Sequence, residues 1–154
     1  MRVDANHLAW ENMRKGIDGQ AELLRTAPAM LYNYAREAIS GPAPSKLYFT
    51  GCGDSYFCGL AARYASEILT RLPVEVVESL EFSRYGVRSA PSGSVVVAVS
   101  NSGEVSRTVE AVMLARAAGL RTVAVTYDKG SRLAASSEHL IAYDYRDVGF
   151  GPGR

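Results

Sequence analysis

Cysteine and histidine are scarce in this 154-residue chain, which holds two of each. Cys52 and Cys58 stand six apart across a tight turn and the start of a helical pattern. That spacing fits neither a disulfide framework nor a zinc site, and it implies reduced thiols in a cytoplasmic protein. His7 and His139 are far from each other, and the carboxylates never cluster with them at ligand spacing, so no metal is expected. An excess of either charge is also lacking. Seventeen basic residues face sixteen acidic ones for a net charge of +1, and no dense basic run offers a footprint for nucleic acid or an anionic membrane. Long apolar runs are absent as well, and the start Met1-Arg2-Val3-Asp4-Ala5-Asn6-His7 is polar where a secretory signal needs an apolar stretch. Any bound anion must therefore be held by local geometry.

What is present suits one globular domain: 47% hydrophobic residues in a chain long enough to bury a core. Residues 1–45 read as an N-terminal helical arm packing on the domain. Ala21 to Ser40 has apolar residues near helical spacing, with Pro28 kinking the middle, and Trp10 and Met13 mark an earlier arm or helix whose apolar face suits an oligomer interface. Gly41-Pro42-Ala43-Pro44-Ser45 breaks the pattern. From residue 46 to 154, strands are expected at Lys46–Thr50, Val74–Glu78, Ser94–Ser100, Arg121–Tyr127 and Leu140–Asp144. Helices are expected at Ser55–Arg71, Leu80–Tyr85, Glu104–Ala118 and Ser131–Ala135. This alternation predicts a three-layer α/β/α fold with a five-stranded parallel sheet, flavodoxin-like or Rossmann-like.

Two of the predicted strands end in similar turns. Gly51-Cys52-Gly53-Asp54-Ser55 closes the first, and Ser100-Asn101-Ser102-Gly103-Glu104 closes the third. A strand ending in small hydroxyl and glycine residues before a helix offers free N–H groups, a positive dipole end and hydroxyl donors to one anion. If the two strands are neighbours, Ser55, Ser100 and Ser102 converge, with Gly51, Gly53 and Gly103 permitting close backbone approach. Serines at helix starts also act as N-caps, and Ser55 alone would be read so. The pair Ser100 and Ser102 exceeds what one cap needs. A dinucleotide fingerprint fails, because Tyr56 occupies the place of its third glycine and the second turn would have no role.

These paired turns resemble the signature of the sugar isomerase (SIS) domain family, above all the first such domain in the isomerase part of glucosamine-6-phosphate synthases and of related sugar-phosphate isomerases and deaminases. The resemblance runs from Glu22-Leu23-Leu24-Arg25 to Tyr143. It implies a five-stranded parallel sheet that binds a sugar phosphate without a cofactor. By position, Ser55, Ser100 and Ser102 match phosphate-gripping serines, Asn101 matches a frequent glutamine, and Gly53 matches a backbone contact. Ser79-Leu80-Glu81-Phe82 resembles a segment near the sugar, which makes Glu81 a candidate contact. Val105 departs from the family's threonine, so one hydroxyl is missing unless Ser106 or Thr108 replaces it. The family's proton-transferring residues lie in a second domain, and the end Gly149-Phe150-Gly151-Pro152-Gly153-Arg154 looks like the connection towards one.

The expectation is thus a binding half of an aldose–ketose or amino-sugar-phosphate isomerase or deaminase, acting as a homodimer or beside a second SIS domain. A non-catalytic sugar-phosphate sensor is the competing reading, and an inert subunit completing another chain's site is a third. No catalytic residue is assigned. Glu104 reads as capping its own helix, Cys52 as a packed thiol, both histidines as surface residues, and Arg107, Lys129 and Arg132 as solvating charges.

Overall fold

The computed structural model describes residues 5–38 and 40–143. Helix α1 spans Ala5–Ala38; β1 Leu47–Gly51; α2 Asp54–Thr70; β2 Val74–Glu78. A helical stretch follows, with α3 at Ser79–Glu81, a wide π-helical turn at Phe82–Gly86 and α4 at Val87–Ser89. Then come β3 Val95–Val99, α5 Ser106–Ala117, β4 Arg121–Thr126, α6 Arg132–Ser136 and β5 His139–Ala142. The five strands form one parallel sheet in the order β2-β1-β3-β4-β5, the expected three-layer α/β/α architecture.

The strands are central because their side chains feed both layers. On one face Leu47, Val74, Val95 and Val123 pack with Ala38 of α1 and Leu72, and Gly59 lets α2 lie directly on Phe49 and Val76. On the other, Tyr48, Val77 and Val96 meet Phe82 and Ala111, while Ala98, Val112 and Ala124 meet Leu133. Each fully buried valine contributes on the order of 1.5–3 kcal/mol. An apolar run such as Val95-Val96-Val97 therefore suits an interior parallel strand covered on both faces.

Several boundaries depart from the sequence reading. Helix α1 is one element that runs through Pro28 and joins the expected Ala21–Ser40 helix to the earlier arm. The connection that follows it is tied down by Arg121, whose guanidinium donates to the carbonyls of Ser40 at 3.0 Å and Pro42 at 2.8 Å. α5 starts at Ser106, two residues later than expected, with Val105 as its N-cap. The expected end of the last strand at Asp144, the tail Gly149–Arg154 and the side chain of His7 lie outside the described residues. His139 opens β5, at the amino end of the sheet.

Candidate functional site

β1 and β3 are hydrogen-bonded neighbours, with Thr50 opposite Ala98, and the winding of the sheet reverses between them. Open α/β sheets bind ligands outside the carboxyl ends of the strands at such a reversal. Both turns singled out in the sequence emerge there, side by side.

In the first turn Gly53 is the N-cap of α2, with φ 55° and ψ −128°, and the space beyond its Cα is open. Ser55 and Tyr56 donate their N–H groups to the carbonyls of Cys52 and Gly53. The N–H groups of Gly53 and Asp54 find no acceptor among the described residues. Ser55 stands inside the helix, so it is not the cap, and its hydroxyl makes no hydrogen bond among the described residues. Gly51 is required for a different reason from the one expected. A Cβ there would lie 2.9 Å from Ser55 and 3.0 Å from the Val99 carbonyl oxygen, so this glycine lets the first turn settle onto the end of β3.

The second turn leans on the β4 side. Ser100 is buried; its N–H donates to the Val125 carbonyl and its Oγ accepts from the Gly103 N–H at 3.2 Å. Ser102 Oγ accepts from the Glu104 N–H at 3.3 Å. Asn101 is anchored through its carbonyl by Thr126 Oγ1 at 2.9 Å, and through Oδ1 by the Tyr143 hydroxyl at 2.7 Å. The N–H groups of Asn101 and Ser102 have no acceptor among the described residues. Gly103 has φ 69° and packs against Ser131.

Each edge therefore presents two unpaired backbone donors plus hydroxyls, which is an anion-binding arrangement. Among the described residues no group of three His, Cys, Asp or Glu is placed to hold a metal.

Some expectations change. Glu104 precedes α5 instead of capping it, and its carboxylate accepts the Arg132 N–H of α6 at 2.8 Å. Arg107 pairs with Glu110 at 2.9 Å, and Arg84 holds the same carboxylate at 2.8 Å. The hydrogen bond from Arg107 and the nearby Arg84 charge keep Glu110 below the ordinary carboxylate range despite an opposing desolvation effect. Thr108 cannot stand in for the hydroxyl missing at Val105, because it is wholly buried. Ser106 takes the first helical position, exposed.

Thr108 instead belongs to a hydroxyl chain beneath the site. Thr50 Oγ1 donates to Ser79 Oγ at 3.2 Å, Ser79 Oγ meets Thr108 Oγ1 at 3.1 Å, and Thr108 reaches Cys52 Sγ at 3.6 Å. This chain ties β1, α3, α5 and the first turn together, and nothing local in the sequence signals it. Burial, then the neighbouring Glu78 carboxylate, pushes the Cys52 thiol up, which disfavours the thiolate that a nucleophile needs. For Glu78 itself burial acts upward. The Cys52 thiol and the backbone N–H groups of Leu80, Glu81 and Ser79 outweigh it and hold the carboxyl low. Glu81 is exposed one turn beyond β2, on the same carboxyl edge.

Compared with known families, residues 43–147 match the model of the SIS domain. The chain belongs to the SIS domain family. Over 137 residues, this SIS domain is 33% identical to glutamine–fructose-6-phosphate aminotransferase (isomerizing) of Bradyrhizobium diazoefficiens, a match covering 84% of the chain but only 22% of that enzyme. A solved candidate phosphosugar isomerase from Silicibacter pomeroyi superimposes with TM-score 0.71 at 30% identity, over 85% of this chain and 41% of that one. The sugar isomerase domain of an RpiR transcription factor from Sphaerobacter thermophilus shares the fold, with TM-score 0.69 at 19% identity, over 90% of this chain and 76% of that one. The SIS domain described here thus spans well under half the length of its enzyme relatives.

Proposed function

We propose that this SIS domain binds the phosphate of a sugar phosphate between its two turns. Ser55, Ser100 and Ser102 donate hydroxyl hydrogens, and the backbone at Gly53, Asp54, Asn101 and Ser102 supplies N–H groups. Gly51 and Gly103 set the spacing of the turns, and Glu81 reaches towards the sugar. The observation that carries this reading is the adjacency of the two turns with unpaired N–H donors on both. A compact phosphomonoester fits three hydroxyls and four amides better than an extended pyrophosphate does.

In this reading the domain, with residues 1–45 as its helical arm, is the binding half of a cytoplasmic aldose–ketose or amino-sugar-phosphate isomerase or deaminase. Proton transfer between C1 and C2 of an opened sugar needs a positioned base, which a second SIS domain or a second copy supplies. The chemistry uses neither metal nor nucleotide. A non-catalytic sugar-phosphate sensor is the second reading, since the same fold occurs in the sugar isomerase domain of an RpiR transcription factor.

Calorimetric titration with fructose 6-phosphate, glucosamine 6-phosphate and unphosphorylated fructose tests the proposal. Binding of a phosphorylated sugar only, lost in the Ser100→Ala/Ser102→Ala variant, is expected. Two hydrogen bonds to a charged group are worth about 3 kcal/mol or more together, a loss of about a hundredfold or more in affinity. Equal binding by the variant removes the two-turn cradle.

A further inference from the structure

An asparagine side chain is ambiguous towards an anion. Its amide carries an acceptor oxygen on one branch and a donor NH2 on the other, and only the NH2 stabilises a phosphate. At Asn101 the ambiguity is removed from the end of β5, which lies beyond β4 in the sheet. The Tyr143 hydroxyl donates to Asn101 Oδ1 at 2.7 Å, while Asn101 Nδ2 has no acceptor among the described residues. The oxygen is engaged, and the donor branch is left for a ligand beside the unpaired N–H groups of Asn101 and Ser102.

Tyr143 is itself firmly placed. It directly follows β5 and its own N–H donates to the Thr126 carbonyl at 3.3 Å, and a tyrosine has few side-chain torsions to order. The backbone of the second turn does not depend on its hydroxyl. The Asn101 carbonyl accepts from Thr126 Oγ1 at 2.9 Å and from the Tyr127 N–H at 3.3 Å, and buried Ser100 donates its N–H to the Val125 carbonyl. Loss of the tyrosine hydroxyl therefore frees the Asn101 amide and leaves the turn where it is. Neither partner signals the contact in the sequence, because 42 residues separate them.

We infer that Tyr143 is a positioning residue for the phosphate site: its hydroxyl holds Asn101 so that the side-chain NH2 is presented to the anion. The inference rests on the two-turn cradle proposed above and adds to it a donor that the backbone does not supply. The size of the effect follows from counting orientations. A free asparagine has about three χ1 wells and two amide faces, roughly six arrangements, and affinity falls in proportion to the competent fraction. Removing the anchor should therefore cost about sixfold in affinity, or ~1.1 kcal/mol.

Calorimetric titration of the full chain with fructose 6-phosphate and glucosamine 6-phosphate tests this in the wild type, Tyr143→Phe, Asn101→Ala and the double variant, with circular dichroism confirming that each is folded. Tyr143→Phe is expected to bind about sixfold more weakly. Asn101→Ala should lose about tenfold or more, because a hydrogen bond to a charged group goes, and the double variant should bind no more weakly than Asn101→Ala alone. A merely structural tyrosine would cost the same in both backgrounds. The NMR signals of the Asn101 side-chain NH2 give a second reading: they should move with ligand in the wild type and much less in Tyr143→Phe, while the amides of residues 53–55 respond in both. Full affinity in Tyr143→Phe, an equal loss in the Asn101→Ala background, or NH2 signals indifferent to ligand in the wild type overturns the inference and leaves the cradle standing. A wild-type chain that binds neither sugar phosphate overturns the cradle and this inference with it.

Discussion

An alanine at position 103 would carry its Cβ to within 2.1 Å of Ser131 Oγ and 2.5 Å of Ser131 Cβ. Ser131 cannot simply turn away, because it is buried and its Oγ accepts the Ala134 N–H as the N-cap of α6. The backbone at 103 also has φ 69°. A side chain in the left-handed region costs roughly 1–2 kcal/mol, and overfilling a packed site costs about 1–3 kcal/mol more. Gly103→Ala should therefore destabilise the fold by about 2–5 kcal/mol, measured by urea denaturation followed by circular dichroism. Ser131→Gly opens the space while losing only a few tenths of a kcal/mol of capping. In that background Gly103→Ala should cost only the backbone part, about 1–2 kcal/mol, which leaves a coupling of about 1–3 kcal/mol between the two sites. A cost below ~1 kcal/mol in the wild-type background, or one unchanged by Ser131→Gly, would refute the packing argument.

Three further outcomes follow from the site's surroundings. Glu78 is held below its unfolded value of 4.5, so its contribution to stability is complete above that pH and disappears as pH falls through the lower folded value. Chemical denaturation between neutral pH and pH 3 should show a smaller acid loss for Glu78→Gln, and an identical acid slope would count against the hydrogen bonds assigned to it. Thr108→Val removes one member of the buried hydroxyl chain and should cost about 1–3 kcal/mol, because Ser79 and Cys52 lose a partner; a neutral substitution in the same denaturation assay would mean the chain is not tightly bonded. Iodoacetamide at pH 7.5 should label exposed Cys58 well before Cys52, whose thiol is raised by burial, and peptide mass mapping that finds the reverse order would contradict the placement of Cys52.

The sheet and the two turns were legible because their signals are local. Valine runs bounded by Gly and Ser clusters specify interior parallel strands, and the turn residues sit where the strands stop. Neighbouring β1 and β3 were open to expectation for the same reason. What escaped the sequence depends on distance in the fold. Thr50, Ser79 and Thr108 are separated by whole elements, so their shared hydroxyl chain has no local pattern. Glu104 carries the composition of a first-turn residue, yet its carboxylate crosses to the Arg132 N–H of another helix. Gly51 and Gly103 look alike as permissive turn residues, but both positions are dictated by the protein packing on itself, whereas Gly53 in the same site faces open space. The expected arm around Trp10 and Met13 and the expected helix from Ala21 are one helix, because Gly16, Gly19 and Pro28 lower helix propensity without ending it.

Whether two turns from neighbouring strands hold one phosphate is read from backbone amide NMR signals during titration with fructose 6-phosphate or glucosamine 6-phosphate. With a shared cradle, amides of residues 53–55 and 101–103 shift together along one saturation curve, and inorganic phosphate competes at both turns. Shifts confined to one turn, different saturation curves for the two, or no response to either sugar phosphate would contradict it.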